Sequence, residues 1–287
     1  MNLISKIKGK IVYWIFILSK PLIRVSPSNS NPNSVLILTI AYNDDSLIET
    51  QINLIKKNFK DPYVHFVVDN SSDLGIRTSI LKICQTHHTG YVSVPTNPYS
   101  NTKSHGAAMH WAYFQLVKKM KFNYFGFLDH DIFPVAGFSV LSKIQNGIYG
   151  RVMHAYFPNG YLNKVSSEVP YWSLWAGFCF FEKQLVRGPF PWSLNFFSKH
   201  FKNGYFLDTG GGLWNKVYSQ ITYPGELANY RLEKDNDSAS SEIQDSSFEI
   251  LDDAWIHFVS LSNWREIQNL NGKKARLTEF LKKCKKE

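Results

Sequence analysis

The chain of 287 residues is poor in cysteine, with only Cys84, Cys179 and Cys284. Three thiols so far apart make neither a disulfide framework nor a four-thiolate metal site. A reducing compartment is the simplest reading. Long apolar runs are also missing. None approaches the ~20 residues that a helix needs to cross a bilayer, which excludes a polytopic membrane protein. No internal repeat is present. With 44 % apolar and 19 % charged residues, the chain is neither a disordered tail nor a coiled coil. Its length suits one large domain or two small ones. Aromatic residues are what it has in plenty, at 15 %. They suit a globular core with a carbohydrate-like or amphipathic ligand.

Acid is absent from the first 30 residues, which carry five bases, Lys6, Lys8, Lys10, Lys20 and Arg24. Residues 273–287 add seven bases against two acids, whereas residues 233–253 hold eight acids and one lysine. Such polarity reports partner surfaces of opposite sign. Within the basic start, Ile11 to Leu18 is apolar and includes Tyr13 and Trp14, rings suited to a headgroup region. Near the end, Leu277, Phe280, Leu281 and Cys284 form one helical stripe among lysines. Both segments fit helices lying on an anionic membrane. They equally fit a core-packed first helix and a solvated last one, since periodicity does not separate the two. No zinc-finger, RNP or helix-turn-helix pattern accompanies the charge, so nucleic acid is not an expected partner. The expected location is cytoplasmic, peripheral to the membrane.

Three segments follow from composition: a basic, apolar N-terminal segment and linker over 1–33, a folded domain over 34–262, and a basic amphipathic helix over 263–287. Within the domain, 34–135 and 136–262 read as two halves. Strands are expected at 35–40, 64–68, 91–94 and 124–128. Helices are expected from a capping box at Ser46-Leu47-Ile48-Glu49, over 76–84, and over 104–119 with Ser104 as N-cap. This alternation marks an α/β domain with a largely parallel sheet. Such sheets bind ligands at the carboxyl ends of their strands. Further strands are expected around 148–157 and 172–181, a mobile loop over 233–247, and ordered apolar chain from Trp255 to Phe258.

The residues that carry chemistry cluster where the strands end. Asp129-His130-Asp131 follows Phe127-Leu128. Two carboxylates at i and i+2 after a buried strand hold a hard cation such as Mn²⁺ or Mg²⁺, whose open positions take phosphate oxygens. The plain alternative is a solvated turn. Lys103, His105 and the backbone of Gly106 at a helix start suit the phosphates themselves. Asp208, before Gly210-Gly211-Gly212 and an expected helix from Leu213, suits a general base. It suits a helix cap equally. Tyr171, Trp172, Trp175, Trp192 and Trp214 flank these segments as stacking platforms for sugars or as core.

Three of these segments together resemble the family 2-like nucleotide-sugar glycosyltransferases of the GT-A fold. Leu38 to Asn43 is similar to that family's first strand and turn, Val67 to Asp73 to its acidic turn that contacts the nucleoside, and Phe127 to Asp131 to its D-x-D motif. The likeness covers about residues 34–135. It departs from the pattern at Ala41, where the family has proline, and at Leu207-Asp208, where it has Glu-Asp. It implies a GT-A-like, Rossmann-like mixed sheet, mostly parallel and flanked by helices. It implies a donor site at Ala41, Tyr42, Asn43, Asp69, Asn70, Lys103, His105, Gly106 and His130. The metal ligands would be Asp129, Asp131 and a late histidine, His257, with Asp208 as the catalytic base. The implied reaction is metal-dependent, inverting transfer from a nucleotide sugar to a glycan or glycolipid acceptor in cell-surface polysaccharide synthesis. A nucleotidyltransferase would also pair carboxylates around Mg²⁺, but Ala41 to Asp45 lacks the glycine-rich basic loop expected of one. A non-catalytic binding protein of the same fold is the third reading.

Overall fold

A computed structural model describes residues 3–26, 31, 33–157, 170–188, 193–234, 247–258, 261 and 270–286. Its centre is a seven-stranded sheet. Val35–Ala41 (β2), Tyr63–Asp69 (β3), Gly90–Ser93 (β4) and Tyr124–Asp129 (β5) run parallel. Arg24–Val25 (β1) pairs antiparallel with β4, and Trp172–Glu182 (β8) antiparallel with β5. Ile148–His154 (β7) closes the far edge, giving the order β1-β4-β3-β2-β5-β8-β7. β2 is buried at every position, as expected of a strand covered on both faces. A mixed, mostly parallel sheet flanked by helices is therefore what forms.

The helices are Leu3–Leu18 (α1), Ile48–Asn58 (α2), Leu74–Thr86 (α3), Asn101–Ala112 (α4) and Leu270–Lys286 (α5). Their starts differ from expectation for local reasons. α2 begins at Ile48 and has no side-chain cap, because the Ser46 hydroxyl donates to Asp44 Oδ1 at 2.6 Å. The capping box therefore does not form. α3 does have an Asp cap: Asp73 accepts from the Ile76 N–H at 2.9 Å. α4 begins at Asn101, three residues ahead of Ser104. Ser104 is thus not its N-cap; its Oγ accepts from Asn70 Nδ2 at 2.9 Å. α4 continues as one wide π turn over Tyr113–Val117, all five residues of which are buried.

A second, antiparallel sheet decides where the site lies. Tyr230–Lys234 (β11), Ser247–Leu251 (β12), Trp255–Phe258 (β13) and Ile132–Pro134 (β6) form it in the order β11-β12-β13-β6. β6 follows directly on the turn that ends β5. This sheet therefore carries chain from the far end of the sequence against the Asp129–Asp131 turn. A short ribbon, Lys199–His200 (β9) with Phe206–Leu207 (β10), completes the strands. No helix starts at Leu213: the glycine run leads into a single 3₁₀ turn, Gly211–Leu213. Residues 235–246 and Trp192 lie outside the described residues.

Both terminal segments pack on this body. Tyr13, Phe16 and Ile17 of α1 join the main core, while Gln115 Nε2 and Trp111 Nε1 donate to the Ile17 and Ser19 carbonyls. Leu277 and Leu281 of α5 are buried with Leu47, Leu54, Phe133 and Phe258. The stripe expected to face a membrane at the C-terminus is therefore turned inward at these two positions. Lys274 Nζ adds a 2.5 Å ion pair to the buried Asp44. Burial raises the Asp44 pKa, but the hydrogen bonds from Lys274 and Ser46 outweigh it and leave the carboxyl below its ordinary value.

One polar group lies deep beneath the sheet. His65 is buried on β3 and shares a 2.9 Å hydrogen bond with Thr39. Burial, then the charge of Lys56, lowers its pKa to about 3. The folded state thus holds His65 neutral while the unfolded chain takes up a proton near pH 6.5. Stability is complete above the unfolded value and is lost as pH falls from there towards 3. A single such group contributes up to about 1.4 kcal/mol per pH unit in that window. The melting temperature is expected to fall between pH 6.5 and 4, and less steeply in His65→Gln. Parallel pH profiles of the two proteins would refute the assignment.

Candidate active site

The site is assembled at the carboxyl ends of β2, β3 and β5. Asp129 closes β5 and pairs in register with Ile40, one residue before Ala41. The turn it begins is held by a side chain from α2. Gln51 is buried, and its Nε2 donates to the carbonyls of both Asp129 and Ile132, each at 2.7 Å. Its Oε1 accepts from the Thr39 hydroxyl at 2.8 Å. One amide thus clamps both ends of the D-x-D turn. Gln51→Leu would leave two carbonyls and a hydroxyl without this partner, and each buried polar group so stranded costs about 1–3 kcal/mol. A loss of roughly 3 kcal/mol is expected by denaturant unfolding. A loss below about 1 kcal/mol would mean the clamp is idle.

Asp131 is buried and faces β13. Its Oδ1 lies 3.6 Å from His257 Nε2. On the other side of the ring, His257 Nδ1 meets Glu249 Oε2 at 2.7 Å. That contact follows from register, since Glu249 and His257 stand directly opposite each other on β12 and β13. Arg151 closes the chain, its Nη1 2.6 Å from Glu249 Oε2 and its guanidinium 4.0 Å from the Tyr230 ring centroid. Trp175 lies against the imidazole at 4.5 Å between ring centroids. The chain Asp131–His257–Glu249–Arg151 alternates in sign.

The electrostatics follow from this alternation. Burial pulls the His257 pKa down, but the Asp131 carboxylate and then Glu249 outweigh it and lift it to about 10. Burial pushes Glu249 up, but the hydrogen bond and charge of His257, with Arg151, take it down to about 2. Asp131 is likewise lowered, the charge of His257 exceeding the effect of burial. Asp129 goes the other way: burial raises it and Asp131 adds to the rise, against a lowering by His105. The two carboxylates of one turn are thus driven apart.

Asp129 is approached from both sides. His105 Nε2 stands 3.4 Å from its Oδ1. Gly177 on β8 packs so closely that a Cβ there would come within 2.4 Å of its Oδ2. Glycine is the residue that leaves this carboxylate room. Asp208 enters from β10. Its Oδ1 accepts from the Thr209 N–H at 2.7 Å, and the Thr209 hydroxyl reaches the Thr102 carbonyl in α4 at 3.5 Å. Gly210 follows at φ +92°, a left-handed conformation in which a Cβ would lie 3.2 Å from the Leu174 carbonyl of β8. The Asp208 loop therefore rests on α4 and β8, the two elements whose His105 and Gly177 border Asp129. The loop and the D-x-D turn lie on the same side of the molecule.

Several residues expected at the donor are engaged in the fold. Ala41 is fully buried, and its carbonyl accepts from the Asn70 N–H. Both Asp69 oxygens are occupied, by the Ser71 N–H at 2.9 Å and the Tyr91 hydroxyl at 2.8 Å, and the side chain is buried. Asn70 bridges Ser104 and Asn97. Gly106 lies inside α4, where a Cβ would meet the Phe196 carbonyl at 3.0 Å, so its N–H is not presented at a helix start. His130 is buried with its Nδ1 3.4 Å from the Ile40 carbonyl and its Nε2 without a hydrogen-bond partner. Tyr42 and Asn43 remain exposed, Asn43 at φ +47° with its Oδ1 accepting from the Ser72 and Asp73 amides. Lys103 is exposed in the first turn of α4.

No protein-family model and no curated protein matches the chain. Among solved structures it is similar to the mannosyltransferase Ktr4p from S. cerevisiae, at 11 % identity and a TM-score of 0.37, covering 64 % of this chain and 66 % of that one. It is similar to the mannosyltransferase PcManGT from Pyrobaculum calidifontis, in complex with GDP-Man and Mn²⁺, at 16 % identity and a TM-score of 0.34, covering 64 % and 55 %. The bifunctional glycosyltransferase WbbM gives 12 % identity and a TM-score of 0.39, with 55 % of this chain covering 33 % of that one. The chain spans between a third and two thirds of the length of these structures.

The donor set suits a hard divalent cation. Among the described residues no three His, Cys, Asp or Glu side chains converge as a protein cage. Asp131 Oδ1 and, once an ion displaces its proton, His257 Nε2 supply two donors at a spacing that one ion can bridge, and Glu249 holds the imidazole by its other nitrogen. A carboxylate behind a ligating histidine fixes the ring and raises its basicity. A site with two protein donors, completed by phosphate oxygens and water, is how Mg²⁺ and similar ions are commonly held. Glu249 was not among the residues legible as functional. The signal for it is the pairing of an acid on β12 opposite a histidine on β13. Glu249→Gln is expected to weaken Mn²⁺ binding by about 10–100-fold, measured by calorimetry. Unchanged affinity would remove Glu249 from the site.

Proposed function

We propose that the chain transfers a sugar from a nucleotide-sugar donor to a glycan or glycolipid acceptor, with Mn²⁺ or Mg²⁺ and with inversion at the anomeric carbon. One observation carries the reading: an early D-x-D turn and a late histidine, backed by Glu249, meet at the carboxyl ends of the parallel strands. The resemblance of Leu38–Asn43, Val67–Asp73 and Phe127–Asp131 to the GT-A glycosyltransferases gives it its chemistry. A role in cell-surface polysaccharide synthesis belongs to the same proposal.

Asp131 and His257 would hold the cation, and Glu249 keeps His257 aimed at Asp131. When bound, the cation supplies Lewis-acid stabilisation of the departing nucleoside diphosphate. His105, 3.4 Å from Asp129, and the exposed Lys103 of the same helix would contact the phosphates. Tyr42 and Asn43 border the nucleoside. Asp208 accepts the proton of the attacking acceptor hydroxyl. One displacement of this kind inverts the anomeric centre. Trp175, beside His257, gives the sugar a face to stack on.

A thermal-shift screen of UDP, GDP, CMP and TDP, with UTP, GTP and CTP beside them, with and without Mn²⁺, tests the reading. Stabilisation by one diphosphate only when metal is present is the expected result. Stabilisation by a nucleoside triphosphate but by no diphosphate would favour the nucleotidyltransferase reading. No response to any nucleotide would favour a binding protein of the same fold.

A further inference from the structure

From Ile11 to Leu18 α1 is apolar on all sides, and a helix of that kind is normally buried or in contact with lipid. Tyr13, Phe16 and Ile17 face the core. At 100° per residue, the opposite side carries Ile7, Ile11, Ile15 and Leu18, which are 49 %, 53 %, 65 % and 64 % exposed. Leu22, just beyond the helix, is 65 % exposed. Isolated surface leucines need no explanation, but a contiguous aliphatic face does. Lys8, Lys10 and Lys20 are exposed around it, and residues 1–33 contain no acid. The helix has 16 residues, short of the ~20 that span a bilayer.

We propose that this outer face of α1 docks in the plane of an anionic phospholipid bilayer, with the four aliphatic side chains in the acyl boundary and the lysines at the headgroups. Charge selects this occupant. A second copy seated on the same face would set lysines against lysines with no acid to offset them. An anionic headgroup layer complements them, and partial insertion of an apolar face with a basic rim is the known mode of in-plane helices. The two ends of the chain therefore part company: α5 turns Leu277 and Leu281 inward, while α1 keeps a second apolar face outward. α1 packs along α4, whose His105 borders Asp129 at the proposed cleft. Docking would thus bring that cleft to the membrane surface. The proposal does not depend on sugar transfer, since vesicle binding needs neither donor nor acceptor.

The test is co-sedimentation of the full chain with phosphatidylcholine vesicles, with and without phosphatidylglycerol. Binding to the anionic vesicles at low salt, weakened by added salt, is expected. The triple substitution Ile11→Glu, Ile15→Glu, Leu18→Glu is expected to lower it on the order of tenfold or more. All three side chains are exposed, so its thermal melt should match the unsubstituted protein, and Ile15→Glu alone serves if it does not. Failure of the unsubstituted protein to bind anionic vesicles overturns the proposal, as does equal binding by a folded variant. A lipid-free dimer dissolved by the same substitutions, without vesicle binding, assigns the face to a second copy and overturns it too.

Discussion

Asp131→Ala is expected to abolish metal-dependent nucleotide binding. The side chain is the one carboxylate of the D-x-D turn whose pKa is lowered, so it is an anion across the whole neutral range. It also faces His257 Nε2 directly. Removing it halves the protein's donor set, and what remains is a histidine held by Glu249. In the unsubstituted protein, nucleotide and Mn²⁺ at a hundredfold excess over Kd add about 2.7 kcal/mol of stability. For a chain of this size that is several degrees of melting temperature. In Asp131→Ala the increment is expected to vanish. Asp131→Asn is the companion variant, because it keeps the shape of the turn while giving up the charge. A full metal-dependent shift in both variants would take Asp131 out of the site and the proposed function with it.

Asp208→Asn is expected to do the opposite, leaving nucleotide and metal binding intact while removing transfer. Asparagine keeps the oxygen that accepts from the Thr209 N–H, so the loop has no reason to move. Gly210 continues to rest against Leu174. What is lost is the capacity to take a proton. General-base catalysis is typically worth 10²–10⁴-fold, and a fall of about that size in kcat, with the diphosphate shift unchanged, is the expected signature. Turnover within a few-fold of the unsubstituted enzyme would show that another group accepts the proton. Loss of nucleotide binding in step with turnover would show that Asp208 holds the loop together and performs no chemistry.

The fold was legible where burial is symmetric. Val35 to Ile40 reads as a strand because both its faces are covered, and the alternation of strand and helix through Asp129 follows. Helix starts were less legible, because serine has several uses for one hydroxyl. Ser46 is drawn to Asp44, two residues back, and Ser104 to Asn70 on another element, so neither hydroxyl caps the helix start expected of it. The candidate site was half legible. Asp129 and Asp131 stand out because they follow a buried strand. Glu249 did not, since it sits among eight acids over 233–253 and only the β12–β13 register singles it out. Gln51 carried a signal that was passed over: a polar residue on the face of α2 otherwise lined by Ile48, Ile52 and Ile55. Asp69 and Asn70 show why the donor side was harder to read, since their side chains are engaged within the fold. An acidic turn that presents side chains to a ligand and one that consumes them in its own hydrogen bonds have the same sequence.

The placement of His257 on β13 also sets a timetable. Its partner strand β6 is made early, but β13 is made only after β7 to β12. Domains gather from the N-terminus as synthesis proceeds, so the parallel strands β2 to β5 can collapse long before the histidine arrives. A nascent chain halted anywhere before residue 257 would hold Asp131 with no imidazole opposite. Competence for the proposed chemistry would then appear late and abruptly, as a by-product of strand order.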